Sequence, residues 1–257
     1  MRVCLLASGS QGNALYIESS ESRILVDAGL SGRELSRRLE RIGVEADDLN
    51  AIFVTHEHHD HCCGLGVMAR RHNLPVFAHE ATIQALPRLG RVRDIREFEA
   101  GDLVDFRDLQ VRSFPITHDA AAPVGFTIET SDGKVGIATD LGIPTRLVAD
   151  RLRDCRVLVV ESNHDEKMLR DGPYPWPLKE RIRGSHGHLS NDASSGLLDQ
   201  IAWPGLEMVF LAHLSEQNNC PQLVKGTAKQ IFEAGNLCSP RLDVAGQHHV
   251  SYCFSDV

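Results

Sequence analysis

A chain of 257 residues, 42% of them hydrophobic, can bury a sizeable core and suits one large domain or two small ones. No run approaches the roughly 20 apolar residues that span a bilayer, so no membrane helix is expected. The formal net charge of −8 argues against broad nucleic-acid affinity, which rests on a basic face, although bound divalent cations would reverse that field locally.

The chain opens with MRVCLLASGSQGNALYI, which turns polar at Ser8 and reads as a first strand, not as a secretion signal. Short β-branched runs bounded by Gly, Pro, Asp or Ser predict strands at Arg2–Leu6, Ala14–Ile17, Arg23–Val26, Ala51–Val54, Leu109–Phe114, Gly125–Glu129, Lys134–Ala138, Val157–Val160, Glu207–Leu211 and His249–Phe254. Helical periodicity predicts helices at Gly32–Ile42, Gly64–His72, Thr145–Leu152, Asn191–Ile201 and Gln222–Ala234. Hairpins first, then helices interleaved with single strands, imply an α/β protein with sheets covered by helices. No internal repeat or linker divides the chain, so residues 1–257 read as a single domain. The Pro-dense segment Gly172–Pro177 reads as a rigid surface loop. The seven cysteines are odd in number and lack CxxC spacing, which predicts reduced thiols and a cytoplasmic location.

The central chemical signal is Val54-Thr-His-Glu-His-His-Asp-His61, between a predicted strand and a predicted helix. His56 and His58 lie two apart, so in extended backbone both rings point the same way and can share one metal. Asp60 and His61 follow where the chain turns, and can face a second. His118, Asp140 and His213 each come just after an apolar run, in ITHD, ATDLG and LAHLS. Imidazoles with a few carboxylates suit zinc first, with manganese or iron next.

HEHHDH, THD, ATD and AHLS in this order resemble the metallo-β-lactamase superfamily. The resemblance implies an αββα sandwich with two divalent metal ions at one edge of the sheets. It implies a first metal on His56, His58 and His118, a second on Asp60, His61 and His213, and Asp140 bridging. Asp27, in Leu25-Val-Asp-Ala-Gly, would brace the metal loop. Ser8-Gly-Ser-Gln-Gly-Asn13, Gly172-Pro-Tyr-Pro-Trp, Gly187-His-Leu-Ser-Asn191 and Leu214-Ser-Glu-Gln-Asn-Asn219 are similar to the YycJ (WalJ) group of that superfamily, whose members are exonucleases acting on DNA. The spacing from Asp140 to His213 leaves no room for the β-CASP insertion of RNA-processing members.

Beyond the ligands, Gly187-His188-Leu-Ser resembles the His-Ser/Thr segment of tRNA-processing relatives, and Glu161 sits where those place a strand-end glutamate. His188 is expected to protonate the leaving group and Glu161 to orient it, with His186 and His164 as competitors. Asp60, His188 and Glu161 are the catalytic candidates, Asp60 doubling as a ligand. His59 reads as solvent-facing, and His248 and His249 as structural. Lys179, Arg181 and Arg183 would either hold substrate phosphates or form a solvated face. Ser10, Gly12 and Asn13 either approach the site or form a plain turn. The expected activity is phosphodiester hydrolysis of nucleic acid, DNA first, by a metal-bridging hydroxide. The alternatives are a small-molecule hydrolase of the same fold, acting on a cyclic phosphodiester, thioester or lactam, and a binding module that kept the fold without the chemistry.

Overall fold

The computed structural model describes residues 1–86 and 89–256. In chain order the strands of the first half are β1 (Arg2–Ala7), β2 (Ala14–Glu18), β3 (Arg23–Val26), β4 (Ala51–Phe53), β5 (Val76–His79) and β6 (Ile95–Phe98). Those of the second half are β7 (Leu103–Phe106), β8 (Leu109–Pro115), β9 (Val124–Thr130), β10 (Gly133–Ala138), β11 (Val157–Glu161), β12 (Met208–Ala212) and β13 (Arg241–Val244), before a short β14 (Phe254–Ser255). They build two seven-stranded sheets, ordered β14-β1-β2-β3-β4-β5-β6 and β13-β12-β11-β10-β9-β8-β7. Each sheet is antiparallel on one side and parallel on the other. The switch falls at β3–β4 in the first and at β10–β11 in the second.

Strand periodicity explains the layering. In β4, Ala51 and Phe53 face the other sheet while Ile52 points outward. The inner faces meet in a core that includes Val3, Ile17, Phe53, Phe126, Val159 and Phe210. Phe53 stacks on Phe77 at 4.4 Å and meets Phe106 and Phe126 edge-on. The helices are α1 (Gly32–Arg41), α2 (His59–Cys62), α3 (Leu65–Arg71), α4 (Glu80–Ala85), α5 (Arg146–Leu152), α6 (Glu166–Asp171), α7 (Trp176–Arg183), α8 (Asn191–Ile201) and α9 (Pro221–Gly235). Leu35 and Leu39 of α1 and Met68 of α3 cover the outer face of the first sheet. Val148 of α5, Leu198 of α8 and Phe232 of α9 cover that of the second. The order is helix, sheet, sheet, helix, the αββα sandwich.

Several sequence expectations are corrected. β5, β6, β7 and β13 are short strands outside the expected set, defined by the strands they pair with. The predicted strand His249–Phe254 reduces to β14. Before it, the Ser251 hydroxyl rather than a backbone carbonyl accepts the Leu5 N–H, which ends the ladder. His248 and His249 therefore lie in a bend, not in a strand. Trp176 and Pro177 belong to α7 and not to a loop, since proline fits a helix's first turn. The expectation of reduced thiols fails at one pair: Cys4 and Cys253 form a disulfide, brought together because Phe254 pairs with Val3. Cys62, Cys63, Cys155, Cys220 and Cys238 are free.

Candidate metal centre

The site forms where strands end. Asp27 follows β3, His56 follows β4, His118 follows β8, Asp140 follows β10, Glu161 closes β11 and His213 follows β12. Asp27, Asp140 and His213 all have left-handed backbone, with φ of 62°, 56° and 56°. This conformation is uncommon outside glycine and clusters at functional sites. Here it turns each side chain off its strand and across the sandwich edge.

His56 Nε2 lies 3.0 Å from His58 Nδ1, which lies 3.3 Å from His118 Nε2. Ligand nitrogens around one tetrahedral zinc at about 2.0–2.1 Å stand about 3.3 Å apart. Three imidazole lone pairs at that spacing suit a shared cation. Beside them, Asp60 Oδ2 is 3.5 Å from His61 Nε2 and 3.6 Å from His213 Nε2. Asp140 spans the two groups, with Oδ2 3.0 Å from His61 Nε2 and Oδ1 3.7 Å from His118 Nε2. The test of fit is what these atoms lack. Asp140 Oδ2 and His213 Nε2 are buried without a hydrogen-bond partner. A buried polar atom left unsatisfied is costly, and a divalent cation between these groups would satisfy both. The chain therefore carries clusters of His and Asp side chains consistent with a binuclear metal site.

The other ring nitrogens of His56, His61, His118 and His213 are already engaged. His61 Nδ1 donates to Asp27 Oδ2 at 2.7 Å. Asp27 also accepts the Thr55 N–H and hydroxyl, each at 2.8 Å, and the Thr55 oxygen faces His56 Nδ1 at 3.0 Å. His118 Nδ1 faces the Gly187 carbonyl at 3.3 Å. Such partners set the tautomer and aim the free nitrogen at the cation. Burial works against a charged His213, yet Asp140, Asp60 and Glu161 push its pKa up to about 10.

Glu161 is fully buried and fully bonded. Oε1 accepts from His188 Nδ1 at 2.8 Å and from His213 Nδ1 at 2.9 Å. Oε2 accepts the N–H groups of Leu141 and Leu189 at 2.8 and 3.1 Å. Burial alone would raise its pKa, but the two imidazoles hold it down at about 2. Glu161 thus touches both a proposed ligand and the proposed acid, a double contact that strand position alone did not reveal. Of the competing histidines, His186 is exposed beside the site. His164 is buried, and burial lowers its pKa to about 4. His59 is exposed.

Asn13 is brought in as well. Its Nδ2 lies 3.2 Å from Asp60 Oδ2 and 3.0 Å from His61 Nε2, while its N–H donates to Asp60 O at 2.7 Å. Gly29 permits this approach, since a Cβ there would sit 1.7 Å from Asp60 O. The short polar SGSQGN run was the signal, but only the fold distinguishes it from a turn. Of the three basic residues, Lys179 is buried and donates to the carbonyls of Arg170 and Gly172, each at 2.7 Å. Arg181 pairs with Asp119 at 2.9 Å beside the site. Arg183 is exposed and lies outside the lining of the trough. That trough, of about 300 Å³, is lined both by proposed ligands, among them His58, Asp60, Asp140 and His213, and by residues of α7.

Two sheets with this site at their shared edge define a metallo-hydrolase sandwich. A family model described as the Beta-lactamase superfamily domain matches residues 22–213, and the chain belongs to the metallo-β-lactamase superfamily. Within it, the chain is 38% identical over 232 residues to the exodeoxyribonuclease YycJ of Bacillus anthracis, covering 89% of this chain and 88% of that one. It is also 38% identical over 228 residues to the exodeoxyribonuclease WalJ of Streptococcus pneumoniae strain D39, covering 87% and 85%. Among solved structures, the metallo-β-lactamase fold protein YhfI of Bacillus subtilis shares the fold with a TM-score of 0.75 at 16% identity, covering 98% of each chain.

Proposed function

We propose that the protein is a metal-dependent phosphodiester hydrolase that removes nucleotides from the ends of DNA. The observation that carries the chemistry is the placement of the Glu161–His188 pair beside the seven proposed ligands, His56, His58, Asp60, His61, His118, Asp140 and His213. The DNA assignment is supported by identity of 38% to exodeoxyribonucleases along most of the chain. Two divalent ions held there, zinc first and manganese second, would supply hydroxide near neutral pH and offset charge on the phosphoryl oxygens. Cleavage of a sugar–phosphate bond expels an alkoxide, which needs a proton. His188 lines the same trough, its ring 5.2 Å from that of His118, and keeps Nε2 free, because Nδ1 is held by Glu161. Glu161 is a positioning residue that keeps that imidazole charged and oriented. Asp60 would help hold one ion and is itself held by Asn13. The stretch between Asp140 and His213 contains only α5, β11, α6, α7, α8 and β12, in keeping with one catalytic unit without an inserted domain.

The test is digestion of single- and double-stranded DNA and RNA, labelled at either end, with zinc or manganese added. The expected outcome is stepwise loss of nucleotides from DNA ends that stops on chelation. Turnover of cyclic phosphodiesters, thioesters or lactams without attack on DNA would establish the small-molecule reading instead.

A further inference from the structure

One wall of the trough has no part in the hydrolysis described above. It consists of Tyr174, Leu178 and Ile182, from α7 and the turn before it. The wall is held at both ends. The buried Lys179 ammonium ties the first turns of α7 to the carbonyls of Arg170 and Gly172. At the other end His188 N–H donates to Ile182 O at 2.9 Å, and Gly187 lies so close that a Cβ would sit 2.2 Å from that oxygen. The wall and the His188 loop are therefore fastened together. Leu178 nevertheless remains 36% exposed, and Tyr174 is only half-buried. Beside them Arg181 is paired with Asp119. Both side chains of that ion pair are well exposed, so it is weak and exchangeable.

Around any scissile phosphodiester the substrate offers a second phosphate and a flat, largely apolar base. The trough offers a guanidinium and an aromatic-aliphatic wall. We propose that Tyr174, together with Leu178 and Ile182, forms a subsite that stacks the terminal nucleobase of the strand, while Arg181 exchanges Asp119 for the neighbouring phosphate. This rests on the nuclease reading and names how it recognises an end. At about 300 Å³ the trough is at the small limit of ligand pockets and takes one nucleotide, so the terminal base enters unpaired.

The experiment uses the metal-loaded enzyme and single-stranded oligonucleotides carrying either a normal nucleotide or a tetrahydrofuran abasic residue at the attacked end. The measured quantity is kcat/KM for release of the first residue. The abasic end should be removed about 5- to 100-fold more slowly by the parent enzyme, the range expected for one base stacked on an aromatic ring. Tyr174→Ala should lose a similar factor on the normal end and little more on the abasic end, whereas Tyr174→Phe should behave as the parent. Equal rates of the parent on both ends would overturn the subsite. So would a Tyr174→Ala loss of the same size on both ends, which indicates a general effect that metal content and Tm would register. Should Tyr174→Ala not fold, the parent's comparison of the two ends and the Leu178→Ala variant decide the matter in the same way. Failure of the parent to digest any DNA would instead remove the nuclease reading, and the subsite with it.

Discussion

Glu161 receives four hydrogen bonds on two oxygens, and the two from imidazoles lead to different groups. His188 is a proposed proton donor and His213 a proposed metal ligand, so variants at the three positions should separate the roles. His188→Ala should slow DNA cleavage by about 10²–10⁴-fold. Its loss on bis(p-nitrophenyl) phosphate should be far smaller, because nitrophenolate leaves without a proton, and its metal content should match the parent. Glu161→Gln should differ by lowering metal content as well, since the amide cannot accept from both imidazoles while its other end accepts two backbone N–H groups. Elemental analysis beside the two rate assays checks this. Equal losses of His188→Ala on both substrates, with metal lost, would place His188 among the ligands. A selective loss in His186→Ala would move the acid role two residues along the same loop. The HEHHDH cluster was legible in the sequence because all its members sit within six positions. The contact of Glu161 with His213 was not, because the two lie at the ends of adjacent parallel strands, 52 residues apart in the chain.

At the level of elements, α7 turns one basic cluster into two functions. Its proline-rich start resembled a loop, and Lys179, Arg181 and Arg183 resembled a single strip. The helical turn separates them: Lys179 points back into the protein while Arg181 flanks the trough. Lys179→Met should therefore lower stability by about 1–3 kcal/mol, the cost of leaving buried acceptors unpaired, as read from denaturant unfolding. It should leave the salt dependence of DNA binding nearly unchanged. Arg181→Ala should do the opposite, leaving stability within about 0.5 kcal/mol and reducing the slope of log affinity against log salt by about 0.7–0.9. An unchanged slope in Arg181→Ala would return Arg181 to its surface ion pair alone. The edge strands show the same limit of sequence reading. β6 and β7 show five of eight residues exposed, so alternation in four-residue stretches carries little signal. Their partners β5 and β8 define them.

For the whole molecule, the proposed ligands come from both sheets. His56, His58, Asp60 and His61 follow β4 of the first, and His118, Asp140 and His213 follow strands of the second. Metal binding should thus clamp the sandwich across its open edge. At a thousandfold excess of free metal over Kd, linkage contributes about 4 kcal/mol, which for a chain of this size corresponds to a Tm shift on the order of 10 °C. Chelation should produce that drop in the parent, and Asp140→Ala should lose most of it, because its carboxylate faces both groups. A Tm indifferent to chelation would show that the ions do not bridge the sheets. From the sequence alone came the main strands, an α/β class with helix-covered sheets and the seven ligand candidates, which depend on local periodicity and short motifs that nearby residues specify; the αββα arrangement came from the resemblance those motifs carry. Only the tertiary structure decided that Glu161 touches His213 as well as His188, that Asn13 reaches Asp60, that Lys179 is a buried strut, and that Cys4 meets Cys253 across nearly the full length of the chain. Those depend on which strand ends become neighbours when two sheets close on one core, and no local pattern encodes that distance.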